Sequence, residues 1–238
     1  MIRTVLILFL ILISSSKLFA SYEEALKLFE KGNYSDSLKF LAAALNIRDD
    51  LALNSPNYKL RFLAAHNHWK LGNDGSAIIH FTRCMDIRKD TIDPYIDLGL
   101  LYLERGRFTD SENICRRGLR IEEAPMLYYI IGRTYLARQN FQKARENFEK
   151  ANSLDPMFYM SYNELGIALM NLGRVGEANT AFTVANSINP RNSQILNNLG
   201  VSYESMGNKK SAISAFEKAL KLEPDNVEIR NNLNRCKN

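Results

Sequence analysis

Cysteine, proline and tryptophan are scarce in this chain: 3, 6 and 1 of 238 residues. Three sulfurs are an odd set, too sparse for the disulfide framework with which small secreted folds replace a core. Cys84 and Cys115 read as buried thiols, and a bridge between them stays open because sequence does not carry its geometry. An excess of one charge is missing too. The balance is 31 basic against 26 acidic residues, or +5, and residues 1–20 account for two of those charges through Arg3 and Lys17. A nucleic-acid partner needs a strongly basic face with interleaved aromatics, so none is expected. No Pro/Gly/Ser-rich linker or low-complexity run divides the chain, and one continuous body is expected.

Catalytic signatures are missing as well. The chain has no GxxxxGK[ST] phosphate loop, no GxSxG, no HExxH and no CxxC. His66 and His68 form a His-x-His pair, but helical residues two apart diverge by about 200°, which suits a shared metal poorly. His80 stands alone, and Asp49, Asp50, Glu122 and Glu123 read as solvated loop charges. The expectation is a protein that is not an enzyme and holds no cofactor and no metal.

Long hydrophobic runs occur only at the N-terminus. Val5 to Ile13 are apolar, with Arg3 before them and Ser14, Ser15, Ser16 and Ala20 after. Such a run fits the roughly 7–15 residues of a secretory core and falls short of the roughly 20 that span a bilayer. It reads as a signal peptide, residues 1–20, cut after Ala20, leaving no stable membrane span. The bulky Leu18 keeps an uncleaved signal anchor as the alternative. No Cys follows the run for lipid attachment, so export across the inner membrane to the periplasm is expected.

What the chain does have is repetition. A small residue recurs at Ala25, Ala65, Gly99, Gly132, Gly166 and Gly200, at separations of 40, 34, 33, 34 and 34. Seven residues after each stand Gly32, Gly72, Gly106, Gln139, Gly173 and Gly207, so Gln139 is the exception. A second small column is Ser37, Ala77, Ser111, Ala144, Ala178 and Ala212, and a third is Ala44, Cys84, Gly118, Ala151, Ala185 and Ala219. Between them runs a large column: Leu41, Phe81, Cys115, Phe148, Phe182 and Phe216. Pro156, Pro190 and Pro224 close the last three units.

Apolar residues at helical spacing on both sides of the Gly32-type column predict two short amphipathic helices per unit, with the Gly supplying the left-handed turn between them. Small residues such as Gly166 and Ala178 let the helices approach, Phe182 fills the gap, and the terminal Pro ends the unit. "SYEE" reads as a capping box with Ser21 as N-cap and Glu24 as its partner. "VEIRNNLNRCKN" keeps Ile229 and Leu233 on one side and is otherwise polar, as a terminal helix should be.

These columns resemble the tetratricopeptide repeat (TPR). Its pattern is densest in the last three units: Tyr128, Ile131, Gly132, Tyr135, Ala144, Phe148, Ala151 and Pro156 in the first of them. Tyr162, Leu165, Gly166, Leu169, Ala178, Phe182, Ala185 and Pro190 repeat it, as do Leu196, Leu199, Gly200, Tyr203, Ala212, Phe216, Ala219 and Pro224. The resemblance implies an all-α fold, a right-handed superhelical solenoid of helix-turn-helix repeats with a C-terminal capping helix. Its units would be a truncated first TPR plus insert (21–57), TPRs at 58–91, 92–124, 125–158, 159–192 and 193–226, and the cap at 227–238. The 40-residue separation adds six residues in "IRDDLALNSPN", as a longer second helix or a loop open to a partner.

In TPR proteins the concave face is lined by the first helix of each hairpin, which nominates two rows here: Phe62, Ile96, Tyr129, Asn163, Asn197, Asn231, and His66, Leu100, Arg133, Ile167, Val201, Arg235. A third runs Trp69, Leu103, Leu136, Met170, Glu204. The aromatic end would bury apolar side chains, and Asn163, Asn197 and Asn231 could grip a peptide backbone, each amide offering donor and acceptor. Packing between hairpins is the competing role for both sets. Few cations accompany Arg133, Arg235 and Lys59, so a carboxylate clamp is disfavoured. The functional expectation is a non-catalytic periplasmic scaffold or adaptor for another envelope protein or peptide segment, in envelope, secretion or appendage assembly. The alternative is a small-ligand-binding accessory of a transport system.

Overall fold

The computed structural model describes residues 20–45 and 56–238. The expected leader and the insert after the first unit lie outside the described residues, which are helical wherever they are regular. Two compact units are present, Met1–Leu101 and Tyr102–Asn238. This corrects the expectation of one body. In a repeat array each hairpin contacts only its neighbours, so units can separate without a linker to announce them.

The first unit contains α1 (residues 20–30), α2 (Tyr34–Leu45), α3 (Pro56–Lys70), α4 (Asp74–Ile87) and most of α5 (Asp93–Glu104). Residue 20 is already helical, so Ser21 lies inside α1 and is not its N-cap. Ala25, Leu41, Ala65, Ala77, Phe81 and Cys84 are wholly buried. Ser37 Oγ donates to the Ala25 carbonyl at 2.7 Å and accepts from Asn67 Nδ2 at 3.0 Å, tying α1, α2 and α3 together.

The second unit continues with α6 (Phe108–Gly118), α7 (Pro125–Ala137), α8 (Phe141–Leu154), α9 (Tyr159–Asn171), α10 (Val175–Ile188), α11 (Ser193–Ser205), α12 (Lys209–Leu222) and α13 (Val227–Lys237). The turn between α9 and α10 shows how a hairpin is made. Gly173 takes φ +74°, its N–H reaches the Met170 carbonyl at 3.0 Å, and that of Arg174 reaches Leu169 at 2.9 Å. This crossed pair satisfies carbonyls that the end of the helix leaves open. Gln139 adopts the same conformation, with φ +58°, and makes the same two bonds through Gln139 and Asn140. Four helices, α8, α11, α12 and α13, start on side-chain caps: Asn140, Asn192, Asn208 and Asn226 accept from the backbone N–H of Lys143, Ile195, Ser211 and Ile229. Pro156, Pro190 and Pro224 lie in the turns between hairpins.

Gly132 faces Phe148, Gly166 faces Phe182 and Gly200 faces Phe216. A Cβ added at Gly132 would stand 2.6 Å from the Phe148 ring, inside any tolerable contact. The three rings are at most 1 % exposed, each contributing about 1.5–3 kcal/mol of burial. At the C-terminal end α13 buries Ile229, Asn232, Leu233 and Cys236 and, Val227 apart, exposes polar side chains. Gly166→Val is therefore expected to lower the unfolding free energy by about 1–3 kcal/mol, because the enclosed Phe182 ring has nowhere to move. Urea denaturation of the variant measures this.

Candidate functional site

In the first unit Phe62, His66 and Trp69 project from α3, and Ile96 and Leu100 from α5; all five are partly buried. The aromatics spend much of their area on one another. Phe62 stacks on Tyr58 at 5.6 Å and meets Phe81 edge-on at 5.9 Å, while Trp69 lies 6.3 Å from Phe81. His66 sits among them, 4.7 Å from Phe62, 5.2 Å from Phe81 and 6.1 Å from Trp69. Its Nδ1 is 2.9 Å from the Phe62 carbonyl and its Nε2 3.1 Å from Asp97 Oδ2. Both neighbours are acceptors, so the protonated ring satisfies both. Burial opposes that charge, but the bond to Asp97 and its negative charge outweigh it, and the pKa of His66 lies above the ordinary value.

His68 points elsewhere, its ring stacked on His80 at 5.5 Å. Burial lowers the pKa of both, and the charges of His68 and Arg61 help bring His80 down to about 4. Among the described residues no three His, Cys, Asp or Glu side chains converge as a metal site.

The histidines therefore pull stability in opposite directions. His66, raised, contributes fully below the unfolded value of about 6.5 and loses its contribution as pH climbs through its folded pKa. His80, lowered, is neutral when folded, so stability falls between about 6.5 and about 4, where only the unfolded ring takes up a proton. The first unit should be most stable near pH 6.5, measured as melting temperature against pH, and Asp97→Asn should remove the alkaline slope alone.

In the second unit Tyr129 and Arg133 come from α7, Asn163 and Ile167 from α9, Asn197 and Val201 from α11, Asn231 and Arg235 from α13. Tyr129 is buried against Phe158, 5.0 Å away, with the Arg133 guanidinium over its ring at 5.7 Å. An amide ladder is present, but it joins helix to helix. Asn163 Oδ1 accepts from Asn198 Nδ2 at 2.9 Å, and Asn197 Oδ1 accepts from Asn232 Nδ2 at 2.9 Å while Asn197 Nδ2 donates to Glu228 at 3.1 Å. Asn163 and Asn197 are buried, and Asn231 is exposed beside the ladder. Asn198, Asn232 and Glu228 are the partners that sequence reasoning missed; the consecutive amides Asn197-Asn198 and Asn231-Asn232 were the available signal.

Arg235 grips Glu204 with two bonds, at 3.1 and 2.6 Å. Glu164, also overlooked, is a partly buried carboxylate whose pKa burial raises against the opposing charge of Arg133 and a bond from Asn163. Ile167, Met170 and Val201 remain partly exposed along the row and Arg133 is exposed. Asn197→Ala should cost about 1–3 kcal/mol by orphaning Asn232, whereas Asn231→Ala should stay within about 0.5 kcal/mol of the parent. Denaturant titrations of the two variants test this pairing.

Residues 33–238 match the family model described as the cilia and flagella-associated protein 70 C-terminal domain, a TPR domain. The chain belongs to this family. Solved TPR structures align with it at low identity. PilF of Pseudomonas aeruginosa shares 15% identity at a TM-score of 0.74, covering 92% of this chain and 97% of PilF. MamA shares 21% at 0.60, covering 71% and 92%. YrrB, described as a TPR protein with an unusual peptide-binding site, shares 18% at 0.59, covering 72% and 89%. No curated protein matches the chain in sequence. Membership of a TPR family implies a scaffold for protein–protein interaction. No helix among the described residues is long and apolar enough to cross a membrane.

Proposed function

We propose that this TPR chain is a non-catalytic adaptor that holds an extended segment or a helix of a partner protein along the first-helix row of Tyr102–Asn238. The observation that carries this reading is what remains after the hairpins have packed. Ile167, Met170 and Val201 keep apolar surface open on one face; the exposed Arg133 holds the position of Ile167 and Val201 on α7, and the exposed Asn231 holds the position of Asn163 and Asn197 on α13. The buried amides set the spacing of those helices, and contact with the partner falls to this apolar strip and its polar flanks.

The apolar run Val5–Ile13, preceded by Arg3 and followed by a serine cluster, supports export, with the periplasm as the site of action. The partner is then another envelope protein, in envelope, secretion or appendage assembly. YrrB supports the binding mode by analogy of fold. Photo-crosslinkers placed at Ile167 and Val201 in cells should capture one predominant envelope protein, identified by mass spectrometry. The double variant Ile167→Glu, Val201→Glu should weaken its binding at least tenfold while melting like the parent. Capture that is unchanged in the variant would remove this row from consideration, and recovery of the chain in the cytoplasmic fraction would remove the proposed location.

A further inference from the structure

A different face of α9 carries an opening of about 250 Å³, lined by Glu149, Tyr162, Leu165, Leu169, Val184 and the outer face of α10 between Glu177 and Ala181. The repeat explains why it is there. At the position of Leu169 three other hairpins carry tyrosine: Tyr102, Tyr135 and Tyr203. Around it, Thr180, Ala181 and Val184 occupy the positions that Glu146, Asn147 and Lys150 hold in the preceding hairpin. An aromatic ring and three longer side chains have been exchanged for shorter ones at one point of the stack. An apolar cavity of roughly 150 Å³ is enough to take a benzene ring.

The preceding hairpin also shows how such a ring is held. Tyr135 is buried, its hydroxyl donates to Glu112 Oε1 at 2.6 Å, and Arg116 Nη2 lies 3.4 Å from the hydroxyl oxygen. At the corresponding positions of the next hairpin the charges are exchanged, Arg145 standing for Glu112 and Glu149 for Arg116. Arg145 and Glu149 pair at 2.6 Å, and the Arg145 Nε–H is buried without an acceptor. The acid that would hold a phenol, Glu149, therefore lines the opening where the phenol ring is missing, with Arg145 paired to it.

The geometry points to this opening as a binding site for a phenol group, whose ring packs on Leu165, Leu169 and Val184 and whose hydroxyl donates to Glu149, the ion-pair partner of Arg145. The site stands apart from the row in the proposed function. On α9 it uses Tyr162, Leu165 and Leu169, and the row uses Asn163, Ile167 and Met170, so one can be blocked without the other.

The test is a methyl NMR titration of the full chain with p-cresol and with toluene, which lacks only the hydroxyl. Saturable shifts confined to Leu165, Leu169, Ala181 and Val184 are expected with p-cresol, at an affinity at least about fivefold above that of toluene. Leu169→Tyr supplies the missing ring from within and should abolish binding; Val184→Lys, which restores the preceding hairpin's residue, should do the same should the first variant fold poorly. A five-residue peptide with a central tyrosine separates the two sources of phenol. Tighter binding than p-cresol assigns the site to a tyrosine of a partner protein, and weaker binding assigns it to a free phenolic molecule. No saturable shift, equal affinity for toluene, or shifts that persist in both variants would overturn the proposal.

Discussion

The close approach of a backbone to an aromatic ring governs this structure. Gly132, Gly166 and Gly200 have no side chain because Phe148, Phe182 and Phe216 occupy the space where one would be. That contact sets the distance between the two helices of each hairpin. The distance brings Ala144, Ala178 and Ala212 into full burial, and the left-handed turn closes each pair. Burying one phenylalanine in each of these three hairpins supplies stability in equal instalments, so a repeat that fits its neighbours can be stacked without any single large core.

Polar contacts then fix one hairpin against the next. Asn198 to Asn163 and Asn232 to Asn197 are two copies of one bond, made a repeat apart. In the first unit the same job falls to Ser37 and Asn67, and between α6 and α7 to Glu112, which collects Tyr135, Arg116 and Arg138. Buried amides are costly unless paired, so these bonds specify register as much as they add stability. An adaptor benefits from that arrangement, since a row of side chains can present a constant spacing only if the helices beneath it do not slide.

The packing columns could be read in the sequence because every repeat must satisfy the same geometry, and Gly166, Phe182 and Ala178 recur for that reason. Gln139 shows the limit of such reading: it breaks the glycine column yet performs the same turn, because the backbone bonds and not the residue name define it. The Asn row was visible, but its direction was not. Whether Asn197 meets a ligand or Asn232 depends on the rotation of one helix against the next, which no periodicity encodes. Ser21 resembled a cap by its spacing from Glu24, but the helix had already begun. The division within α5 leaves no trace in composition, because hairpins on both sides of it obey the same rules.

The cysteines carry a last consequence. Cys84, Cys115 and Cys236 are free thiols and all are buried, the first two with pKa values pushed by burial up to about 12. A thiolate is the form that oxidants and electrophiles attack, so these sulfurs are shielded twice, by access and by protonation. Cys84 lies in the first unit and Cys115 and Cys236 in the second. Each unit thus holds at least one thiol that reacts only when the hairpin around it opens, so its modification records that opening.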